Sequence, residues 1–443
     1  RSLPPHNGFA VSAGLDVFLD YLEALRFTES DLDYLRGLCI FDGSFLRALA
    51  EFRPGLTVHA VPEGTPVYPY EPIVQVEGTI FETQLVETAL LNILNYQTLI
   101  ATKSARICLA AENEPVMEFG LRRAHGPDGG VSGSRAAYIG GCSSTSNVLA
   151  GKVYGIPVAG THAHSWVMSY DSELEAFRKF ARLYPDRCVL LVDTYSTERS
   201  GVPNAITVFE ELAAEGIQIR PAIRLDSGDL GRLSKIAYRM MREAGLDDPL
   251  IVASNDLDED LITDLKRQGA KINAWGVGTH LITAGEHPDF NGVYKLVSIQ
   301  QDGRWNPRLK VSSNIEKATD PGRKQLVRYY DSNGAPSGDV MYLDHERPAT
   351  DGTIRGRSRT WPQHEVKLTG VARAENLLET VFIDGRRVRA REPVAQIHAR
   401  ALARIAALPE ECKRMRNPEI YKVLLSPAMA DLKDALIEEA GGP

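Results

Sequence analysis

Residues 188–201 read CVLLVDTYSTERSG and residues 218–229 read QIRPAIRLDSGD. Each holds a short apolar run that stops at an aspartate and gives way to hydroxyl-bearing, charged or glycine residues. An apolar run of that length, bounded by turn formers, predicts a buried strand. The same pattern recurs outward in both directions: VMEFGLRRAHGPDGG (116–130), AYIGGCSSTSN (137–147), IPVAGTHAHSW (156–166), LIVASNDLDE (250–259) and INAWGVGTHLIT (272–283). Helix-length stretches separate the runs, and strands alternating with helices imply a parallel sheet with helices outside it. Seven such runs come close to a barrel count. In a β/α barrel the loops after the strands form the catalytic face. Wet loops alone would explain one polar tail, but not seven tails rich in Arg, Asp, His, Ser and Gly. An α/β barrel is therefore expected over an open doubly wound sheet.

The flanks read differently. AVSAGLDVFLDYLEALRF (10–27) has helical apolar spacing, and TESDLDYLRGL (28–38) opens with an N-cap and an acidic first turn. TVHAVPEGTPVYPYEPIVQVEGTIFETQL (57–85) alternates and is punctuated by Pro and Gly, which predicts short strands and turns. QLVETALLNILNYQTLIATKSARICLAAE (84–112) predicts a long helix with room for one break. Beyond the barrel, GVYKLVSIQ (292–300) and PRLKVSS (307–313) predict strands, followed by a polar, turn-rich stretch to about residue 360. From ARALARIAALPEECKRM (399–415) onward the chain predicts helix.

The 443 residues are 43% hydrophobic and 24% charged, an ordinary globular composition. Net charge is -8, from 50 basic and 58 acidic residues spread without long runs. That balance argues against nucleic-acid and membrane-surface partners while leaving room for local phosphate pockets. Five scattered cysteines without a CxxC pair suggest reduced thiols and a cytoplasmic protein. No apolar run approaches the roughly 18 residues of a membrane span. The chain opens on Arg1 rather than Met, so an N-terminal segment is expected to precede it.

Several strand ends carry candidate chemistry. In NAWGVGTHLIT, Gly276, Gly278 and Thr279 fall between a strand and a helix, where backbone N–H groups can approach an anion. Such glycines also occur for steric reasons alone. Arg224, Asp226 and Asp229 share one strand end. The guanidinium can grip a carboxylate or phosphate, and the carboxylates can hold ribose hydroxyls or Mg²⁺. The alternative is an internal ion pair capping a helix. Asp193 is either a helix N-cap or a metal or sugar ligand. Of Arg122 and Arg123, one is expected to face the site, and Lys295 and Lys310 on the following strands could add phosphate contacts. His162 and His164 point the same way if their segment is extended, which would suit a metal-dependent amidohydrolase. That pattern belongs on the first barrel strand, however, and later strand ends here carry Asp, Arg and Gly instead of histidine.

In order and spacing, EFGLRRAHGPDGG, SSTSNVLAGKVYGIPVAGTHAHSW, LLVDTYSTERSGVPN, RLDSGD, ASNDLDE, WGVGTHLIT and GVYKLV resemble the nicotinate phosphoribosyltransferase family. The likeness runs from Arg1 to near the C-terminus and is densest from about residue 60 to 330. It implies an irregular or incomplete β/α barrel over 101–290, with a flanking mixed α/β domain built from 1–100 and 291–443. It also implies a homodimer with shared active sites. The implied reaction joins nicotinate to 5-phosphoribosyl 1-pyrophosphate (PRPP) with Mg²⁺, for NAD biosynthesis. ATP hydrolysis is coupled to it through a phosphohistidine. By the resemblance His164 is the phosphorylated residue, while His162 stands where relatives can carry an apolar residue. Arg224 faces the nicotinate carboxylate, with Ser146 and Ser165 as further substrate contacts and Arg122 as a phosphate or substrate ligand. Relatives that use nicotinamide have an aspartate in place of Ser146, a group that would repel the nicotinate anion. Asp193 and Asp226 fall to ribose and Mg²⁺. Ser254, Asn255, Gly276, Gly278 and Thr279 fall to the 5′-phosphate. Arg1, Lys295 and Lys310 are implied to reach the pyrophosphate from the partner subunit. A tyrosine that stacks on the pyridine ring precedes Arg1 in the family. Nicotinamide phosphoribosyltransferase activity is the alternative within this chemistry.

Overall fold

The apolar runs assemble into one parallel sheet. In the computed structural model, which describes residues 2–311 and 318–441, five runs form strands β1 (Val116–Glu118), β3 (Leu190–Leu191), β4 (Ala222–Leu225), β5 (Leu250–Ala253) and β6 (Ala274–Val277). In a sixth, the apolar Ala137, Tyr138 and Ile139 end a helix, Gly126–Ile139, and the polar residues after them form strand β2 (Ser144–Thr145). Their order is β2-β1-β6-β5-β4-β3, and every pairing is parallel. The first strand lies beside the last, as in a closed barrel. The remaining run contributes only an isolated bridge from Val158 to Thr145 on the free side of β2. The ring is thus open between Val158 and β3, and the barrel is incomplete, as expected.

Amphipathic helices cover this sheet. Helix α1 (Leu230–Glu243) buries Leu230, Ser234, Ala237 and Met241, a spacing of three to four that lines one face. Helix α2 (Glu259–Arg267) does the same with Glu259, Ile262 and Leu265. Asp229 caps α1 by accepting from Arg232 N–H, and Asp258 caps α2 from Leu261 N–H. Asp229 therefore takes the helix-capping role left open above. These elements belong to a unit of residues Leu99–Asp289 and Pro393–Ala399.

The other unit joins Arg1–Thr98, Phe290–Glu392 and Arg400–Pro443. Its four-stranded sheet interleaves the two ends of the chain, in the order Arg386–Arg387, Glu379–Ile383, Thr57–Ala60, Val74–Glu77. The core beneath gathers Phe18, Leu22, Leu56, Val58, Leu90 and Phe382. A six-stranded sheet completes this unit, with Lys324–Tyr330, Pro336–Leu343 and Gly352–Ser358 among its longest strands. These strands occupy the stretch whose sequence predicts polar turns. The polarity is internal: Arg328 donates to both carboxylate oxygens of Asp339, and both residues are buried. The long helix expected with room for one break is Glu87–Ala110, and the break falls at Val86, after the short helix Ile80–Leu85.

Candidate active site

All six strand ends of the central unit present polar residues. At the end of β4, Arg224 lies half-buried with its guanidinium fully engaged on three sides. Nε donates to Ser254 Oγ at 2.8 Å, one terminal nitrogen to Thr161 Oγ1 at 2.7 Å, and the other to Asp226 Oδ1 at 2.8 Å. Burial pushes the Asp226 carboxyl up, but the Arg224 charge, the Ser254 and Arg224 hydrogen bonds and the His164 charge outweigh it, and the net shift is downward. Asp226 is therefore ionised at neutral pH.

Asp193 follows β3 with its side chain only 3% exposed. Its Oδ2 accepts from Asp226 N–H at 2.8 Å and from Ser227 Oγ at 2.6 Å. Its Oδ1 is buried without a hydrogen-bond partner and lies 3.9 Å from His164 Nε2. Asp226 Oδ2 lies 3.7 Å from the same nitrogen. His164 Nδ1 is held by Thr194 Oγ1 at 3.1 Å, and the ring is 39% exposed. His164 thus presents Nε2 to a pair of carboxylates and to solvent.

The two histidines do not converge. His164 begins a short helix, His164–Met168, whereas His162 turns inward, 7% exposed, against Phe177 and Phe180. His162 Nε2 accepts from Leu191 N–H at 3.1 Å, so the proton resides on Nδ1. Burial lowers its pKa to about 4. A neutral imidazole whose lone pair already binds an amide hydrogen is no metal ligand. The shared direction expected of an extended segment, and the amidohydrolase reading built on it, are corrected here: residues 156–163 form no named strand.

Around this centre, Ser254 lies at the end of β5, and exposed Asn255 follows with φ 85, a left-handed conformation that asparagine tolerates. Gly276 is sterically required, because a Cβ there would sit 2.7 Å from the Phe119 ring. Gly278 precedes Thr279, the first residue of a four-residue helix. Ser146 is half-buried just past β2, and Ser165 is exposed. Arg122 and Arg123 sit in a 3₁₀ turn after β1, and both are exposed. Lys295 and Lys310 are exposed residues of the other unit. Neither lies on a strand, because the hairpin there is Ser298–Gln301 with Arg304–Pro307, a shift from the segments predicted. Arg1 falls outside the described residues.

Sequence reasoning passed over Thr161, Thr194, Ser227 and Glu118. Glu118 is fully buried and accepts from Ser134 Oγ at 2.9 Å, Thr145 Oγ1 at 2.5 Å and Gly120 N–H, tying β1, β2 and the following turn together. Its signal was a carboxylate inside an apolar run. For the hydroxyls it was their place directly beside His162, Asp193 and Asp226.

Two carboxylates with one unsatisfied buried oxygen suit Mg²⁺, which prefers oxygen ligands and keeps waters or substrate phosphates in its shell. Among the described residues no group of three or more His, Cys, Asp or Glu is arranged to hold a metal. Asp193 and Asp226 therefore fit an ion that arrives with phosphates rather than one caged by protein. Also among the described residues, no helix is long and apolar enough to cross a membrane.

An incomplete parallel barrel with a guanidinium, two carboxylates, a histidine and a glycine-flanked turn at its strand ends defines an enzyme acting on anionic substrates at the barrel's C-terminal face. Residues 115–332 match the Nicotinate phosphoribosyltransferase (NAPRTase) family, 1–95 its N-terminal domain and 323–433 its C-terminal domain. The chain belongs to the nicotinate phosphoribosyltransferase family. It is 46% identical over 429 residues to the Bacillus subtilis (strain 168) nicotinate phosphoribosyltransferase, covering 96% of this chain and 86% of that one. The human nicotinate phosphoribosyltransferase is 33% identical over 497 residues, covering 98% and 90%. The crystal structure of human nicotinic acid phosphoribosyltransferase superposes with a TM-score of 0.85 at 30% identity, over 98% of this chain and 94% of that one.

Proposed function

We propose that this chain joins nicotinate to PRPP, giving nicotinate mononucleotide and pyrophosphate in cytoplasmic NAD biosynthesis, and that ATP hydrolysis drives the reaction through phosphorylated His164. The C1–oxygen bond to pyrophosphate breaks, the pair on the pyridine nitrogen forms the new C1–N bond, and positive charge develops on the ribose between these events. Positioning and charge complementarity supply most of the catalysis. Arg224 offsets desolvation of the nicotinate carboxylate, with Ser146 and Ser165 beside it. Asp193 and Asp226 face the ribose and would hold Mg²⁺, which when bound neutralises charge on the phosphates. Ser254, Asn255, Gly276, Gly278 and Thr279 receive the 5′-phosphate, and Arg122 a phosphate or the pyridine. Lys295, Lys310 and Arg1 reach the pyrophosphate from the partner subunit of a homodimer.

The observation that carries the phosphohistidine is the asymmetry of His164. Nδ1 is occupied by Thr194, whereas Nε2 is solvent-accessible and faces the two carboxylates at 3.7 and 3.9 Å. Nε2 is therefore the phosphoryl acceptor. A phosphoryl group there meets like charge, which a cation shared with Asp193 and Asp226 would relieve. The test is His164→Ala: ATP-dependent labelling and ATP stimulation should disappear while PRPP-dependent turnover persists at a lower rate. Full ATP stimulation in that variant would refute the role.

A further inference from the structure

The barrel sheet is open between Val158 and β3, and no described backbone hydrogen bond crosses that gap. Strand β3 nevertheless holds its place, and its exit carries Asp193 and Thr194. Val192 N–H points to β4 and donates to Arg224 O at 3.2 Å. One residue earlier, Leu191 N–H points the opposite way, into the gap. In a closed barrel a neighbouring strand's carbonyl would receive it. Here the acceptor is His162 Nε2 at 3.1 Å. Two further side-chain rungs span the opening, His164 to Thr194 at 3.1 Å and Arg224 to Thr161 at 2.7 Å.

We propose that His162 is a positioning residue, a neutral imidazole that closes the barrel seam in place of a backbone carbonyl and so sets Thr194 and Asp193 against His164. The argument follows from geometry. His162 reaches Leu191, and His164 reaches Thr194, so the two histidines grip the same strand exit three residues apart. Fixing the first rung fixes the spacing of the second. The ring is wedged against Phe180 with centroids 4.7 Å apart, which holds its orientation. Burial disfavours the imidazolium and, with the nearby Arg224 and His164 charges, outweighs the opposing contact with the Ala163 carbonyl, so the acceptor lone pair persists at physiological pH. A leucine in its place would fill the volume and leave Leu191 N–H buried without a partner.

This inference rests on the proposed phosphorylation of His164, and the test separates the two. Purified full-length wild type, His162→Leu and His162→Gln are compared for ATP-dependent labelling rate, KM for ATP, and ATP-free kcat at saturating PRPP and nicotinate. Leucine removes the acceptor, and glutamine restores an oxygen acceptor. The expected result is a fall of about tenfold in labelling rate and kcat for His162→Leu, with KM for ATP nearly unchanged and His162→Gln recovering most of the loss. Wild-type labelling and kcat in His162→Leu, with only a lowered melting temperature, would overturn the proposal and leave His162 merely structural. So would an equal loss in both variants. Should wild type itself take no label, the phosphohistidine reading has failed, and the seam role is decided by the kcat comparison alone.

Discussion

Arg224 shows why one residue type is needed at one position. It meets Ser254, Thr161 and Asp226 through three different nitrogens, a fork that a lysine ammonium cannot reproduce. Arg224→Lys should raise KM for nicotinate by about 30- to 100-fold, equivalent to roughly 2–3 kcal/mol, with a smaller effect on PRPP. Steady-state kinetics with each substrate varied in turn would check it. The histidines make a second prediction. In the unfolded chain His162 titrates near 6.5, and in the fold its pKa is lowered to about 4. Between those values the unfolded state binds the proton and the native state does not, so stability rises with pH across that window. Denaturant unfolding of wild type should lose stability from pH 6.5 towards 4, and His162→Phe should flatten that dependence. An unchanged slope would mean that His162 does not titrate as its burial requires. Residue spacing alone leaves GTHAHSW as a symmetric pair of histidines, which the family resemblance separates by role but not by exposure or hydrogen-bond partners, because those are tertiary properties.

At the scale of elements, the parallel sheet was legible from short apolar runs with polar ends, since a strand buried on both faces cannot hide its composition. The run at 156–159 behaves otherwise, joining the sheet through a single bridge at Val158. Its missing ladder is replaced by side chains that no periodicity reveals. The strands at 324–358 were illegible for a different reason. Arg328 and Asp339 satisfy each other inside the sheet, so a buried pair reads as surface. Close approaches are equally silent in sequence. Gly201 ends a π-helical turn, Thr197–Gly201, and a Cβ there would sit 1.8 Å from the Val192 carbonyl oxygen, beside Asp193. Gly201→Ala should therefore cost more than about 3 kcal/mol and lower kcat together with the melting temperature. Wild-type stability in calorimetry would contradict that packing.

For the whole molecule, the central unit leaves Val148, Leu149 and Val153 exposed on the helix that follows Ser146, and Met168 exposed at the end of the helix that His164 begins. Apolar groups so placed suit the homodimer proposed above. Sedimentation should give the mass of two chains, and Leu149→Glu with Val153→Glu should shift it to one chain and lower activity in parallel. A monomer at micromolar concentration with full turnover would exclude shared sites. The family and its fold follow from the matched domains and from the superposition on the human structure. The substrate follows from the family, and the proposed roles of Arg224 and Ser146 make the charge of nicotinate the point to test. The most direct test is therefore nicotinate mononucleotide formation from PRPP with nicotinate and nicotinamide in competition, with and without ATP. The prediction is product from the acid, little from the amide, and faster turnover with ATP. Preference for the amide, or no product from nicotinate under either condition, would contradict it.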